Sequence, residues 1–273
     1  MPDGQGAGDD GRIRRGTPAY RRSCLAMFLG GFSTFWLLYW PQPLLPHFAR
    51  DFGLTPAASS AVLSSAMAAL AFSLIPASLL ADRFGRRALM NLAMLMAAAL
   101  TLLTALVSDY HTLLLLRAVT GMIMSGLPAT AMAYLGEEIE ARALGSAMGL
   151  YIAGTALGGM SGRLCTAVLI DLAGWPLAAA AVGGIGLVSA LVFWRVLPAS
   201  RHFQPRPLPW SRQGRRAFTG ALTGLLRDAG LPWLFATGFL LLGCFVSLYN
   251  YIGFRLEQPP FGLASSAIGG IFL

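Results

Sequence analysis

The sequence has 273 residues, of which 56% are hydrophobic and only 12% are charged. Soluble domains carry about 25% charged residues, so this composition excludes an ordinary water-soluble enzyme and indicates a membrane protein. All 20 basic residues are arginines and the formal net charge is +8. These arginines group at the ends of apolar segments, which argues for a lipid bilayer as the partner and excludes nucleic acid.

Apolar segments long enough to span a membrane follow one another along the chain. A hydrocarbon core about 30 Å thick needs about 20 helical residues. Segments of that length occupy residues 24–46, 57–81, 88–107, 112–135, 143–170, 175–197 and 232–254. The predicted fold class is therefore an all-α membrane protein.

The same pattern predicts four regions. Residues 1–23 are rich in Gly, Asp and Arg and are expected to form a disordered cytoplasmic tail, whereas residues 24–197 form a unit of six spans. Residues 198–231, rich in Pro and Arg, form a cytoplasmic linker, and residues 232–273 begin a second unit. A last apolar run starts at Ser265 and is less than half of a crossing, so we expect the second unit to be incomplete.

The placement of the arginines predicts the orientation. Most of them fall before the first span, between the second and third spans, or in the linker. Only Arg50 and Arg255 fall on the opposite face, and Arg117 and Arg163 fall within spans. Since cytoplasmic loops carry the excess of basic residues in membrane proteins, the N-terminus is expected in the cytoplasm.

A short charged segment joins the second and third spans, and its sequence is Asp82-Arg83-Phe84-Gly85-Arg86-Arg87. Asp82 can pair with Arg83 or Arg86, and Gly85 permits a tight turn. The order D-R-x-G-R-R resembles the loop between helices 2 and 3 of the major facilitator superfamily, G-x-x-x-D-R-x-G-R-[RK], with Ser78 in place of the first glycine. We call residues 82–87 the signature loop.

The resemblance implies a specific architecture. Transporters of that superfamily have two six-helix halves, each built from three-helix inverted repeats, with the substrate site between the halves. This chain would then hold the N-terminal half, helix 7 and the start of helix 8. The signature loop would stabilise one closed state of the cytoplasmic gate.

The fourth span carries a charge that needs an explanation. Arg117 and Gly121 resemble the pattern R-x-x-x-G of helix 4 in the superfamily. A charge within a span is costly unless it faces a polar cavity or a partner, so Arg117 is predicted to serve in a cavity or in coupling. The alternative is that its side chain reaches the periplasmic interface.

The fifth span carries a run of glycines at spacings near four, which predicts a stripe where another helix backbone approaches. The stripe resembles G-x8-G-x3-G-P-x2-G-G, the antiporter motif of exporters in the superfamily, which implies efflux by proton antiport of the drug or sugar type. Gly159 replaces the proline of that motif, and Arg163 replaces its last glycine. The motif residues are Gly145, Gly154, Gly158, Gly159, Gly162 and Arg163, and Gly149 lies on the same stripe.

Other polar residues within or at the ends of spans are candidates for a cavity or a gate. Interhelical packing is the competing role for the cavity candidates, which are Tyr39, Gln42, Tyr151 and Asn250. At the end of the fourth span, Glu137 or Glu138 is predicted to pair with Arg83 or Arg142 and latch the cytoplasmic gate. No carboxylate lies inside a span, so the sequence does not assign a proton carrier.

Several stretches are similar to one group within the superfamily, the YnfM-type inner-membrane permeases of bacteria. They are residues 39–46, 149–164, 200–203 and 250–253. This resemblance implies a multi-pass protein of the bacterial inner membrane, monomeric when full length. Its expected partners are a small-molecule substrate and protons, and no cofactor or metal is expected.

Two other function classes fit parts of this sequence. Gly159-Met160-Ser161-Gly162 fits the G-x-S-G of rhomboid-type proteases, whose serine needs a histidine base. His47 and His111 lie at span ends before the serine and His202 lies in the linker, which argues against an enzyme. The remaining alternative is a truncated, non-transporting membrane remnant or interaction protein.

Overall fold

The protein is represented by a computed structural model that describes residues 11–203, 219–220 and 223–272. Within these ranges the regular structure is helical. The helices are α1 (Pro18–Tyr39), α2 (Leu45–Asp51), α3 (Pro56–Phe84), α4 (Arg86–Thr104), α5 (Tyr110–Met124), α6 (Pro128–Glu138), α7 and α8 (both within Ala141–Val196), α9 (Leu231–Glu257) and α10 (Ser265–Gly269). Short 3-10 turns occupy Gln42–Leu44 and Gly270–Phe272. The predicted all-α membrane fold is confirmed.

The stretch Ala141–Val196 is two membrane helices joined at Gly174. A straight helix of its 56 residues would be about 84 Å long, far longer than a bilayer core of about 30 Å. Gly174 has φ +79° and ψ 168°, which favours glycine, and Pro176 follows it. We therefore name residues 141–173 α7 and residues 175–196 α8, which agrees with the predicted fifth and sixth spans.

Contacts with α1 show that α7 and α8 run in opposite directions. Gly154 of α7 lies against the backbone of Phe28, and Gly162 lies against that of Trp36, so α7 runs parallel to α1. Along α8 the order reverses. The Trp36 indole donates to the carbonyl of Val182 at 2.9 Å, whereas Phe193 lies beside Gly30, nearer the start of α1.

Three glycines of the predicted stripe let α1 and α7 approach closely. A Cβ at Gly154 or Gly158 would collide with backbone atoms of α1, and a Cβ at Gly162 would make a tight contact with the Trp36 backbone. Small residues are what allow helix backbones to meet in lipid. Gly145 and Gly149 have nothing within 4 Å of where a Cβ would stand. These two glycines lie on the exposed face of α7, whereas Ala143 and Ala147 of the same turns are buried. The close approach predicted for the stripe is therefore not observed at Gly145 and Gly149.

The predicted tail is ordered from residue 11 onward. The side chain of Thr17 accepts a hydrogen bond from the Tyr20 N–H at 3.2 Å and caps α1, so the helix begins before the predicted start of the span. Ile13 pairs with the end of α6, where its N–H donates to the Glu138 carbonyl at 2.7 Å. The prediction of disorder is therefore wrong for residues 11–23, and residues 1–10 lie outside the described part.

The inter-unit linker is described only in part. Residues 204–218 and 221–222, which make up most of the predicted linker, lie outside the described residues. Near its end, the backbone N–H groups of Leu231 and Gly230 donate to Asp228 and hold the pKa of that carboxyl below its usual range. The start of α9 therefore carries a fixed negative charge.

Helices α1 to α8 form one packed unit, which we call the first bundle, with two distinct ends. At the basic end, α1, α4 and α7 begin and α3, α6 and α8 end. The opposite end holds α2, the start of α5 and the turn at Gly174. The core between them is apolar, with Trp40, Phe48 and Tyr134 among its largest buried side chains.

Replacing Gly158 with alanine tests the close approach of α1 and α7. The new methyl group would meet the Phe32 carbonyl oxygen, so we expect Gly158→Ala to lower the free energy of unfolding by about 1–3 kcal/mol. Chemical denaturation in mixed micelles measures the change.

Gly149→Ala is the matched control on the same helix. It has open space and should be neutral or slightly stabilising, because alanine favours helix over glycine. Equal stability of the two variants would contradict the packing described.

Candidate functional site

Arg117 is buried in the first bundle and holds three backbone carbonyls. It is 1% exposed. Its guanidinium donates to the carbonyls of Leu38 at 2.7 Å, Leu37 at 3.0 Å and Val62 at 3.3 Å. The predicted cavity-facing position is therefore not observed, and the alternative at the periplasmic interface is wrong as well.

The end of α1 explains why a cation is needed there. The last carbonyls of any helix lack intrahelical donors, and Pro41 has no N–H to offer the Leu37 carbonyl. In hydrocarbon an unpartnered carbonyl costs several kcal/mol. Arg117 supplies the missing donors, while Gly121 on the same helix lets α5 approach the backbone of Ala66 in α3.

A second arginine sits in a polar network that joins the first bundle to α9. Arg163 is 7% exposed, and its Nε donates to Gln42 Oε1 at 2.6 Å. The Gln42 amide nitrogen donates in turn to Asn250 Oδ1 at 2.7 Å. The Arg163 guanidinium also lies 4.0 Å from the centre of the Tyr39 ring. Four of the predicted site residues therefore meet at one point.

Further contacts join the two units at the same end. Arg50 pairs with Glu257 at 2.5 Å, and the Ser266 N–H donates to Asp171 Oδ2 at 2.9 Å. We call these contacts, with the Arg163–Gln42–Asn250 network, the junction. The sequence places Arg50, Asp171 and Glu257 at one face, but nothing in it pairs residues so far apart along the chain.

Away from the junction, α9 separates from the first bundle. Residues 233–245 are exposed throughout, and a cavity of about 820 Å³ lies between α3 and α9. The cavity walls include Ser60, Ser64, Ser247 and Asn250 among apolar side chains, and none of the described residues that line it is charged. The arrangement is a wedge, closed at the junction and open toward the basic end.

The signature loop makes its main contact with α6. Gly85 has φ +99°, which permits the tight turn that was predicted. The Arg86 guanidinium binds Glu137 through two hydrogen bonds, of 2.7 Å to Oε2 and 2.6 Å to Oε1, and Asp82 lies 3.4 Å from Arg86. Arg83 is exposed, and its guanidinium lies over the ring of Phe84.

The predicted latch uses the expected carboxylates with different partners. Glu137 pairs with Arg86 rather than with Arg83 or Arg142, because Arg86 points into the bundle and the other two face outward. The buried Glu138 carboxylate accepts backbone N–H groups of Arg201 at 2.7 Å and His202 at 3.0 Å. It therefore holds the start of the linker against α6.

Two other sequence hypotheses are not supported by the positions of their residues. Tyr151 packs in the apolar core near the basic end, about 18 Å along α7 from Arg163, so it does not belong to the junction. The Ser161 hydroxyl donates to the Leu157 carbonyl of its own helix. His47 lies near Glu257, His202 lies near Glu138, and His111 lies at the start of α5. Among the described residues no hydrogen bond joins Ser161 to a histidine, as the serine of a protease would require.

Comparison with known sequences places the chain among transporters. A model of the Major Facilitator Superfamily matches residues 27–273. Inner membrane transport protein YnfM of Escherichia coli (strain K12) is 46% identical over 259 residues, covering 94% of this chain and 60% of that protein. The uncharacterized MFS-type transporter YybF of Bacillus subtilis (strain 168) is 44% identical over 261 residues, covering 96% and 63%. The chain thus spans about 60% of the length of these curated relatives.

Comparison with solved structures gives the same fold. A bacterial homologue of the human lysosomal transporter Spinster, in an inward-facing and unoccupied conformation, matches with a TM-score of 0.75 at 18% sequence identity. The match covers 93% of this chain and 58% of that one. At this identity the likeness concerns the fold alone, and it confirms the fold predicted from the signature loop.

A double-mutant cycle tests the contact between the signature loop and α6. For Arg86→Gln and Glu137→Gln we expect a coupling free energy of about 1–3 kcal/mol, because the pair is bidentate and the arginine is buried. Chemical denaturation of the two single variants and the double variant gives the value.

The matched control replaces Arg83 in place of Arg86. Arg83 is exposed and makes no contact with Glu137 among the described residues, so its coupling with Glu137→Gln should be near zero. A coupling as large for Arg83 as for Arg86 would show that general charge, rather than this pair, links the loop to α6.

Proposed function

The chain belongs to the major facilitator superfamily, and on that premise we propose that it moves a small molecule across the membrane by alternating access. The observation that carries the proposal is the wedge: α9 meets the first bundle at the junction and leaves it elsewhere. Rocking of two units about a fixed site is how transporters of this kind expose that site to one side and then the other. The substrate enters the cavity between α3 and α9, and the junction opens to release it.

The basic end faces the cytoplasm of a bacterium in this proposal. The excess of arginines at that end supports the assignment, as does the name of the YnfM relative, which calls it an inner membrane protein. The junction then lies at the periplasmic side, and the wedge is open to the cytoplasm. We propose efflux as the direction: a molecule enters from the cytoplasm and leaves when the junction breaks. The likeness of the α7 glycines to the motif of exporters supports this direction.

Proton antiport supplies the driving force in this proposal. The likeness of the α7 glycines to the antiporter motif of exporters supports it. The Arg163–Gln42–Asn250 network is the part of the junction that a substrate or proton would have to disturb, since a buried cation is sensitive to any charge brought near it. The full-length relatives are longer than this chain, and we propose that the whole protein acts as a monomer.

Alternating access is tested by thiol labelling in membrane vesicles. The three native cysteines are replaced, Gln42→Cys and Asn250→Cys are oxidised to lock the junction, and Ser64→Cys in the cavity serves as the reporter. A membrane-impermeant maleimide is added to inside-out or right-side-out vesicles. We expect the locked chain to react only from the cytoplasmic side and the reduced chain to react from both sides.

The single variant Gln42→Cys with the same reporter is the control for oxidation. It lacks the locking partner and should behave like the reduced chain under all conditions. Labelling of the locked chain from the periplasmic side would reject the proposed gate. Labelling from one side only, before and after reduction, would reject alternating access.

A further inference from the structure

A polar groove opens on the surface of the first bundle at the basic end. Its volume is about 530 Å³, within the range of small-molecule sites. The walls come from the first turns of α4, the last turn of α8 and the segment that follows α8. The lining residues are Phe84, Gly85, Arg87, Ala88, Asn91, Trp194, Ala199 and Ser200.

Three polar side chains of the groove have atoms left without hydrogen-bond partners. Among the described residues, Arg87 Nε, Asn91 Oδ1 and Ser200 Oγ are buried and make no hydrogen bond. The remaining contact of the Arg87 guanidinium is long, with Nη2 reaching the Trp194 carbonyl at 3.5 Å. Buried polar groups are nearly always paired, so three orphan atoms in one groove indicate a ligand that supplies both acceptors and donors.

The wall that carries Ser200 is held in place by the fold. The Tyr134 hydroxyl donates to the Pro198 carbonyl at 3.1 Å, and Glu138 accepts the N–H groups of Arg201 and His202 on the other side. Ser200 is thus fixed between two anchors. The groove is a formed feature of the bundle and does not depend on α9.

The charge of the groove favours an anion. Of the residues that the structure describes, Arg87 is the only charged one that lines it. Its neighbour Arg86 is paired with Glu137 and Asp82, whereas no carboxylate is within salt-bridge distance of Arg87 in the described part of the chain. A guanidinium binds a phosphate oxygen pair in the same geometry as a carboxylate.

The surroundings place the groove at the membrane interface. Trp194 is 51% exposed and Phe84 is 64% exposed at its rim, and tryptophan side chains collect at the level of lipid headgroups. From the rim, exposed apolar side chains continue along α4 and α8 toward the bilayer core, with Leu92 57% and Leu191 44% exposed. A ligand with a phosphate headgroup and an acyl chain fits these surfaces, which pass from the polar groove over the aromatic rim to the apolar faces of α4 and α8.

We propose that the groove formed by Arg87, Asn91 and Ser200 binds the headgroup of an anionic glycerophospholipid of the phosphatidylglycerol type. Arg87 and Ser200 donate to the phosphate oxygens, and Asn91 Oδ1 accepts from a glycerol hydroxyl. The acyl chains lie on the exposed faces of α4 and α8. Basic pockets between helices near the membrane surface bind anionic lipids in this way. The inference stands whether or not the chain transports.

Native mass spectrometry of the chain with defined lipids tests the proposal. The probes are phosphatidylglycerol, the zwitterionic phosphatidylcholine with the same acyl chains, and soluble glycerol phosphate. We expect phosphatidylglycerol to be retained preferentially. Arg87→Gln should weaken its binding about tenfold, as the loss of one charge-assisted hydrogen bond predicts.

Two further variants keep the test decisive. Arg142→Gln removes an exposed arginine at the same end and should leave lipid binding unchanged. Ser200→Ala lies outside the helices and should weaken binding several-fold even where Arg87→Gln fails to fold. Equal binding of phosphatidylcholine, equal loss in Arg142→Gln, or unchanged binding in both groove variants would overturn the proposal. Binding of glycerol phosphate as tight as that of the lipid would reject the lipid as the source of the phosphate.

Discussion

The structure depends on how the last backbone carbonyls of α1 find hydrogen-bond donors inside the first bundle. A helix that ends in a packed apolar core leaves these carbonyls without donors from its own backbone, and buried carbonyls without partners are costly. The chain stops α1 at Tyr39 with prolines on the far side, and Arg117 provides the donors from α5. One buried side chain therefore ties three helices, α1, α3 and α5, at a single level of the bundle.

The consequences of this contact extend to the junction. Because α1 ends where Arg117 holds it, the chain turns at Gln42, and that side chain can bridge Arg163 and Asn250. On the other side of α1, the glycines of α7 bring Arg163 close enough to reach Gln42. The hydrogen bonds from Arg117 to the α1 carbonyls and the close packing of α1 on α7 together position the polar network. This network joins the first bundle to α9.

The sequence predicts the parts of this arrangement that depend on local chemistry. Apolar length predicts the spans, and Gly85 predicts the turn between α3 and α4. The residue types in the junction are also evident, because Gln42, Arg163 and Asn250 are polar side chains in apolar surroundings.

What the sequence does not predict are the partners. The sequence shows that Arg117 is a costly charge within a span. It does not show the carbonyls that Arg117 binds, because these are 79 and 80 residues away along the chain. The sequence therefore predicts a polar cavity around the guanidinium. The same holds for Glu137, whose choice of Arg86 over Arg83 depends on which face of the turn points inward. Tyr151 and Tyr39 are both tyrosines within apolar spans, so the sequence gives them the same prediction. Only the path of α7 shows that Tyr151 lies in the apolar core and Tyr39 at the junction.

The most direct test of this account combines the Arg117 contact with the junction. Arg117→Met keeps an unbranched apolar stem and removes the hydrogen-bond donors. The oxidation rate of the Gln42→Cys/Asn250→Cys pair then reports whether the turn after α1 is still in place. The account predicts that the rate falls well below that of the same pair in the parent chain, and that Arg142→Met leaves it unchanged. An unchanged rate in a folded Arg117→Met chain would contradict the claim that this arginine positions the junction.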